Sequence, residues 1–397
     1  MTMRDNSTTE SGRDGASTSR LSRRKVLAAT GLAGAGSLAG CFGWFSGDDG
    51  GNGKSIDVNI ADFRGSGPMV SSRGEPGGTS ITEMPDLEGE LNFYLGGGEG
   101  GLYLDLIELF SKIYSDFSYN HTLDSSSQLS NRITQEVDQG ASQADVFIAV
   151  DAGSLGNVAD AGAAVSLPSK VTDMVPSQFT TGKWVGIAGR ARAVPYNTNQ
   201  LSASDVPSTV QEFPNVSAFQ NDIGWAPTYG AFQSFVTAMR LLRGESETRQ
   251  WLNDMQAAGV LTFPNEFRIS NQVASGEIVS GFANHYYALR VQSQRPNAPL
   301  DLAFTSGDAG ALINVSGAEV IKGTQKESLA KNFIRHLLSA EAQEFFATRT
   351  FAYPTVPDVQ PVGGLPTVDE LNPPDINLAN LSDTGPTLDL LDETGVL

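Results

Sequence analysis

Two adjacent tyrosines, Tyr286 and Tyr287, are the residues of this chain whose type and spacing point most directly to chemistry. They follow an apolar run, residues 278–283, that indicates a strand, so they are predicted to begin a helix. Neighbouring side chains in a helical turn lie about 100° apart, and both phenol oxygens can then approach one point. Ferric ion prefers hard anionic oxygen donors such as phenolates. Ordinary packing of two rings in a core is the alternative interpretation.

Tyr196 is a third candidate phenolate, and three phenolates would neutralise one Fe³⁺. Just upstream, Arg190 and Arg192 carry fork-shaped guanidinium groups that can hold a carbonate or phosphate beside the metal. Surface ion pairing on an acidic protein is the alternative for these arginines. His285 is adjacent to the tyrosine pair, but imidazole is a softer donor for Fe³⁺, so we expect it to lie outside the direct ligands.

A glycine-rich loop, residues 96–101, lies between a predicted strand and a predicted helix. It satisfies the G-x-G-x-x-G pattern of dinucleotide-binding proteins, and Asp124 follows at the distance of a ribose contact. A run this rich in glycine matches many patterns by chance, and Glu99 would place a carboxylate beside a pyrophosphate. The more general prediction is a set of backbone donors facing a cleft, with Glu99 able to reach it.

The N-terminal residues indicate export and anchoring. Arg23 and Arg24 precede an apolar run rich in Ala and Gly, which is typical of a twin-arginine signal. The run ends in Leu-Ala-Gly before Cys41, the only cysteine of the chain, and this pattern resembles a lipidation site. Residues 27–40 are too few and too small to span about 30 Å of hydrocarbon. We therefore expect cleavage before Cys41 and a lipid anchor on its thiol.

Composition limits the partners and the environment of the folded part. The formal net charge is −19, which disfavours a nucleic-acid partner. Such an acidic balance is also typical of surfaces in salt-loving organisms. Residues 42–88 are acidic and rich in Gly and Ser with little apolar periodicity, so they are predicted to be a flexible linker.

Short apolar runs alternate with amphipathic segments along the remainder, which predicts an α/β fold with mainly parallel strands. The predicted strands include residues 91–95, 145–150, 184–194, 278–283 and 312–315. Helices are predicted after the glycine loop, over residues 232–242, from His285 onward and over residues 329–346. The tyrosine pair, Tyr196 and the glycine loop all fall where predicted strands end.

From about residue 91 to the end, the chain resembles the ferric-iron type of ABC-transporter solute-binding proteins. The resemblance rests on separated stretches that occur in the family's order. They are residues 144–147, 151–155, 184–192, 196–198, 226–233, 284–287, 307–311, 314–317, 338–343 and 353–354.

This resemblance implies a bilobed type II periplasmic-binding fold, with two mainly parallel-sheet lobes that close on ligand by a hinge. The expected division is a signal over residues 1–41, the linker, one lobe from residues 89–192 and 305–345, and a second lobe from residues 193–304 and 346–397. The protein is expected to be a monomer that delivers its ligand to an ABC permease and ATPase.

The resemblance also implies that Tyr286, Tyr287 and often Tyr196 ligate Fe³⁺, with carbonate or phosphate as a possible accompanying anion. The family's first glycine loop commonly supplies a His, Tyr or Arg, whereas this chain has Glu99 there as a substitute carboxylate. The same architecture binding another anion or small solute is one alternative. An exported nicotinamide-dependent oxidoreductase is another, but the chain lacks a G-x-S-x-G or H-E-x-x-H motif, so we expect a binding protein and not an enzyme.

Overall fold

The computed structural model describes residues 58–97 and 102–397. Arg23, Arg24, Cys41 and Glu99 therefore lie outside the described residues. Within the described part, no helix combines the length and the apolar character needed to cross a membrane.

Ten strands in the described residues form one mixed sheet, in the order β2-β1-β3-β10-β4-β7-β5-β6, with β8 and β9 also paired to β4. Their bounds are β1 Gly89–Gly96, β2 Phe117–Asp124, β3 Val146–Ala149, β4 Trp184–Asn197, β5 Ile223–Trp225, β6 Leu261–Thr262, β7 Ser280–Gly281, β8 Ala283–Asn284, β9 Leu300–Ala303 and β10 Ile313–Val320. β1 is parallel to β2 and β3, and β5 is parallel to β6 and β7. β10 is antiparallel to β3 and β4, and β4 is also antiparallel to β7, β8 and β9.

The long strand β4 divides the sheet into two groups. Its residues 184–191 pair with β10, which in turn pairs with β3, and these strands with β1 and β2 are called the first strand group. Its residues 192–197 pair with β7, β8 and β9, and these with β5 and β6 are called the second strand group. Thirteen of the fourteen residues of β4 are buried, as expected for a central strand covered on both faces.

Helices cover both strand groups. Their bounds are α1 Ile60–Phe63, α2 Leu102–Ile113, α3 Ser126–Asp138, α4 Ala152–Asp160, α5 Ser169–Thr172, α6 Gly230–Arg243, α7 Glu245–Ala257, α8 Glu266–Ser275, α9 His285–Gln294, α10 Glu327–Leu337, α11 Ala340–Phe345, α12 Val368–Leu371 and α13 Gly385–Glu393. The α/β alternation expected from the sequence is thus present.

The single helix predicted over residues 329–346 is interrupted. α10 ends at Leu337, and Ser339 begins α11 by accepting a hydrogen bond from the backbone N–H of Ala342 at 3.1 Å. A serine in this position satisfies an N–H group that has no partner inside the helix. A turn of π-helix, Phe346–Thr350, then continues from α11.

The flexible linker predicted for residues 42–88 is wrong for residues 58–88. Phe63, Ile81 and Leu87 are fully buried in the main core. Arg64 and Arg73 both pair with Glu344 of α11, at 2.8 Å and 2.7 Å. The Glu344 side chain is 0% exposed, and two guanidinium groups compensate its buried charge. We call residues 58–88 the N-terminal arm.

The boundary predicted at residue 346 also differs from the structure. The Thr355 hydroxyl donates to the carbonyl of Gly186 at 2.9 Å, and the backbone of Tyr353 exchanges hydrogen bonds with that of Gly189. A Cβ at Gly189 would lie 2.9 Å from the Cβ of Tyr353, so glycine permits this close approach. Residues 353–355 therefore pack on the first strand group.

Candidate metal-binding site

Tyr286 and Tyr287 occupy the first turn of α9, as expected, and their ring centroids are 4.4 Å apart. The helix begins directly after β8, whose Asn284 is opposite Arg192 of β4. The amide nitrogen of Asn284 donates to the Tyr286 phenol at 3.3 Å. The tyrosine pair is thus held at the point where a strand of the second group turns into a helix.

A third tyrosine, Tyr229, joins this pair. Tyr229 immediately precedes α6, and its phenol makes a short hydrogen bond with the phenol of Tyr287. Tyr287 also hydrogen-bonds Tyr286. Three phenol oxygens are therefore linked in one group, which we call the tyrosine cluster. The sequence did not predict Tyr229 as a member of this group, because nothing local relates it to a pair that follows more than fifty residues later.

The electrostatics of the cluster disfavour phenolates unless a cation is present. Burial, followed by the neighbouring Tyr286 phenol, raises the pKa of Tyr287 well above its ordinary value. The guanidinium of Arg290 lies 4.9 Å from the ring centroid of Tyr286 and 5.6 Å from that of Tyr287. One helical turn separates it from the pair, which places its positive charge over their ring faces.

The cluster adjoins a cavity of about 750 Å³ that is lined by both strand groups. Tyr229, Gly230 and Asn284 line it from the second group. From the first group, the lining includes Gly97, Ser125, Ser130, Asp151, Ser154 and Arg190. Asp151 supplies the one carboxylate and Arg190 the one guanidinium among the described lining residues.

Helix N-termini and hydroxyl groups make the cavity suitable for anionic oxygen. α3, α4 and α6 all begin at its wall, with Ser125, Asp151 and Tyr229 as the residues preceding them. Backbone N–H groups at such ends and the positive end of the helix dipole favour negative charge. The Asp151 carboxylate is already engaged, since it accepts hydrogen bonds from the N–H and the hydroxyl of Ser154 at 2.8 Å and 3.0 Å.

The structure does not bring Tyr196 to the tyrosine cluster. Its side chain is 5% exposed, and its phenol donates to the Asp301 carboxylate at 3.4 Å. Burial and then this carboxylate raise the pKa of Tyr196. Tyr196 lies four residues beyond Arg192 on β4, about 13 Å along the strand from the position that faces Asn284.

The two candidate anion-binding arginines have different surroundings. Arg190 lines the cavity and donates to the carbonyl of Val150 at the end of β3. Arg192 is buried and forms an ion pair with Glu266 of α8. The second oxygen of Glu266 accepts a hydrogen bond from the N–H of Asn284 at 2.8 Å. Arg192 therefore supports the start of α9. It does not line the cavity, although the sequence predicted that both arginines could hold an anion there.

His285 is close to the cluster but is turned away from it. Its ring nitrogens contact the carbonyl oxygens of Ala191 at 3.2 Å and Phe351 at 2.7 Å. Burial lowers the pKa of His285 to about 4. Within residues 58–97 and 102–397, no three His, Cys, Asp or Glu side chains are grouped to hold a metal. A metal site built from the described residues would therefore depend on tyrosine oxygens.

Comparison with known proteins shows the family of this chain. A family model of bacterial extracellular solute-binding proteins matches residues 141–374. This chain belongs to that family. The relatives of this chain confirm the predicted resemblance to the ferric-iron type of ABC solute-binding proteins. The solved structures that the chain matches confirm the predicted bilobed α/β fold.

Two relatives illustrate the similarity. The chain is 31% identical over 281 residues to the major ferric iron-binding protein of Neisseria meningitidis, covering 68% of this chain and 82% of that protein. It is 29% identical over 305 residues to iron uptake protein A2 of Synechocystis, covering 71% and 85%. Among solved structures, iron-bound HitA from Pseudomonas aeruginosa has a TM-score of 0.66 and 26% identity, covering 77% of this solute-binding protein and 99% of HitA.

Proposed function

We propose that this solute-binding protein captures ferric iron through the phenolates of Tyr229, Tyr286 and Tyr287. The observation that carries the proposal is the direct hydrogen bonding of three phenol groups beside a cavity between the two strand groups. The printed names of the relatives, a ferric iron-binding protein and an iron uptake protein, support the same ligand.

The chemistry of the cluster suits Fe³⁺. Three phenolates would supply three negative charges and hard oxygen donors to one small trivalent ion. Because burial raises the pKa of Tyr287, its phenol holds its proton until the ion displaces it. Ferric capture is therefore coupled to proton release. Asp151 is the described carboxylate of the cavity from which a further oxygen ligand can come, and Glu99 remains a proposed ligand outside the described residues.

An accompanying carbonate or phosphate would bind beside the metal at the N-terminus of α6. Gly230 and Ala231 line the cavity there, and Arg190 supplies the positive charge on its wall. Arg192 is not part of this proposal because Glu266 already neutralises it.

Transport is the proposed context. Arg23 and Arg24 would direct export through a twin-arginine signal, and lipid on Cys41 would hold the monomeric protein at the outer face of the membrane. An ABC permease with its ATPase would then receive the iron. The acidic composition, with a net charge of −19, supports a salt-rich environment.

A second candidate ligand is a small oxygen-rich anion or solute without metal. The cavity volume of about 750 Å³ supports this alternative, because it is typical of sites for small organic ligands. Hydroxyl groups of Ser125, Ser130 and Ser154 at its wall can hydrogen-bond such a solute.

The test is a titration of residues 55–397, which form a compact unit, in high salt. Ferric iron is presented by a weak chelator while the visible spectrum is recorded. We expect a saturable phenolate-to-iron band at one equivalent. The double variant Tyr286→Phe/Tyr287→Phe should lose the band, whereas the matched variant Tyr196→Phe should retain it. A folded protein without any band would refute ferric capture, and a thermal-shift screen of anions would then test the second candidate.

A further inference from the structure

We propose that the C-terminal strap, residues 378–394, is a third wall of the ligand cavity and that its detachment from α4 controls the rate of ligand release. The strap comprises the 3₁₀ turn Leu378–Ser382 and helix α13. The inference rests on the proposed function, because the cavity that it concerns is the one beside the tyrosine cluster.

The strap contributes directly to the cavity wall. Leu381, Ser382 and Thr384 line the same cavity as Tyr229 and Arg190. Leu381 is buried at 3% exposure, whereas Ser382 and Thr384 present hydroxyl groups that can hydrogen-bond an oxygen-rich ligand. Movement of the strap would therefore change both the opening and the lining of the site.

One end of the strap is seated on α4, the helix that follows β3 in the first strand group. A Cβ added at Gly156 would lie 2.6 Å from the Cβ of Ala379, and one added at Gly153 would lie 2.7 Å from the Cβ of Ser382. Two glycines in one helix thus allow the strap to approach the helix backbone. The contact consists of small groups in close packing, which any added methyl would disturb.

The other end is attached by polar groups to α6 and α7, which belong to the second strand group. The hydroxyls of Thr237 and Thr387 are 2.8 Å apart, and Arg240 pairs with Asp383 at 2.9 Å. Arg249 of α7 pairs with Glu393 at 2.6 Å. Two leucines of α13, Leu390 and Leu391, are also buried.

This asymmetry determines which contact yields when the strand groups separate. Leucines are buried at both ends of the strap, Leu378 and Leu381 in the 3₁₀ turn and Leu390 and Leu391 in α13. The α6 and α7 end adds a threonine hydrogen bond and two ion pairs, whereas the α4 end relies on close packing at two glycines. The strap therefore travels with the second strand group and leaves α4 as the cavity opens. The fit against Gly153 and Gly156 becomes a barrier to opening and so to ligand release.

The experiment adds a methyl group at this contact and then removes one opposite it. In residues 55–397 loaded with ferric iron, Gly156→Ala should speed transfer of iron to a strong competing chelator by about tenfold, because overpacking weakens the seated state. The double variant Gly156→Ala/Ala379→Gly should return the release rate towards that of the parent protein. The phenolate band should be the same in all three proteins.

Gly385→Ala is the matched control, because it adds a methyl to the strap where a Cβ meets nothing within 4 Å. It should leave the release rate unchanged. Thermal unfolding of each variant separates a release effect from general loss of stability. An unchanged rate in Gly156→Ala, or a faster rate that Ala379→Gly does not reverse, would overturn the proposal.

The experiment distinguishes an error in the proposed ferric ligand from an error in the role assigned to the strap. If the parent protein shows no phenolate band, amide hydrogen exchange over residues 378–382 replaces the release rate as the measurement. Seating on α4 predicts protected amides there, less protection in Gly156→Ala and recovery in the double variant. Equal exchange in all three proteins would overturn the strap independently of iron.

Discussion

Replacing Glu344 with Gln is the sharpest test of the N-terminal arm as an integral part of the fold. Glu344 lies on α11 and accepts hydrogen bonds from Arg64 at 2.8 Å and from Arg73 at 2.7 Å and 3.0 Å. Both arginines come from the arm, some 270–280 residues earlier in the chain. The neutral amide would leave these two guanidinium groups without the carboxylate that compensates them.

The magnitude follows from burial. Removing one partner of a fully buried ion pair lowers stability by about 3–5 kcal/mol. Here the Arg64 and Arg73 side chains are 17% and 14% exposed, so water reaches part of each guanidinium group. The amide oxygen also keeps one acceptor. We therefore expect Glu344→Gln to lower the free energy of unfolding by about 2–4 kcal/mol.

Urea unfolding of residues 55–397, with and without Glu344→Gln and at constant high salt, measures this change in the free energy of unfolding. Glu327→Gln is the matched control, because Glu327 forms an exposed pair with Lys331 one helical turn away on α10. Its substitution should change the free energy of unfolding by less than about 0.5 kcal/mol. A loss in Glu344→Gln no larger than in this control would contradict the role assigned to the arm.

Four further outcomes are expected. Tyr229→Phe should weaken ferric binding by more than about a hundredfold, because loss of a residue that only hydrogen-bonds a metal ligand already lowers metal affinity about 10–100-fold. Equilibrium titration against a competing chelator measures this affinity. As pH decreases, the apparent ferric affinity should fall about tenfold per pH unit for each phenol proton that binding releases. Titrations between pH 8 and 6 measure this slope, and a flat profile would contradict phenol ligands. Glu266→Gln should lower the free energy of unfolding by about 3 kcal/mol in urea, because Arg192 loses its buried partner, and a change below 1 kcal/mol would contradict this. Burial raises the pKa of Glu319 well above its usual value. The stability that this side chain contributes is therefore full below its pKa in the unfolded chain and is lost as pH rises through its pKa in the folded protein. The free energy of unfolding of Glu319→Gln should match that of the parent protein at pH 4 and exceed it at pH 8.

The tyrosine pair and the helix that begins with it were predictable from local pattern. An apolar run followed by Asn284, His285 and two tyrosines indicates a strand ending in a helix, and the structure has β8 followed by α9. The strand at residues 184–194 was predictable for the same reason, although β4 extends to Asn197. These features depend on residues within one or two turns of each other, where periodicity carries the information.

The different roles of Arg190 and Arg192 were not predictable. Residues two apart on a strand point to the same side, so sequence suggests a shared function. The partner of β4 changes between them, from β10 at Asn314 to β8 at Asn284. Arg190 consequently meets the cavity, while Arg192 meets Glu266. Only the three-dimensional pairing of strands decides which neighbour each arginine has.

Local composition and periodicity were sufficient to predict the α/β class, and separated motifs in the family's order were sufficient for the solute-binding resemblance. The prediction that Tyr286 and Tyr287 bind ferric iron came from the oxygen chemistry and short-range spacing of their side chains. Tertiary structure alone brought Tyr229 to that pair, withdrew Tyr196 from it and joined the N-terminal arm to Glu344. Each of these outcomes depends on contacts between residues far apart in the chain. Such contacts are selected by burial and charge compensation across the whole fold, which no local pattern records.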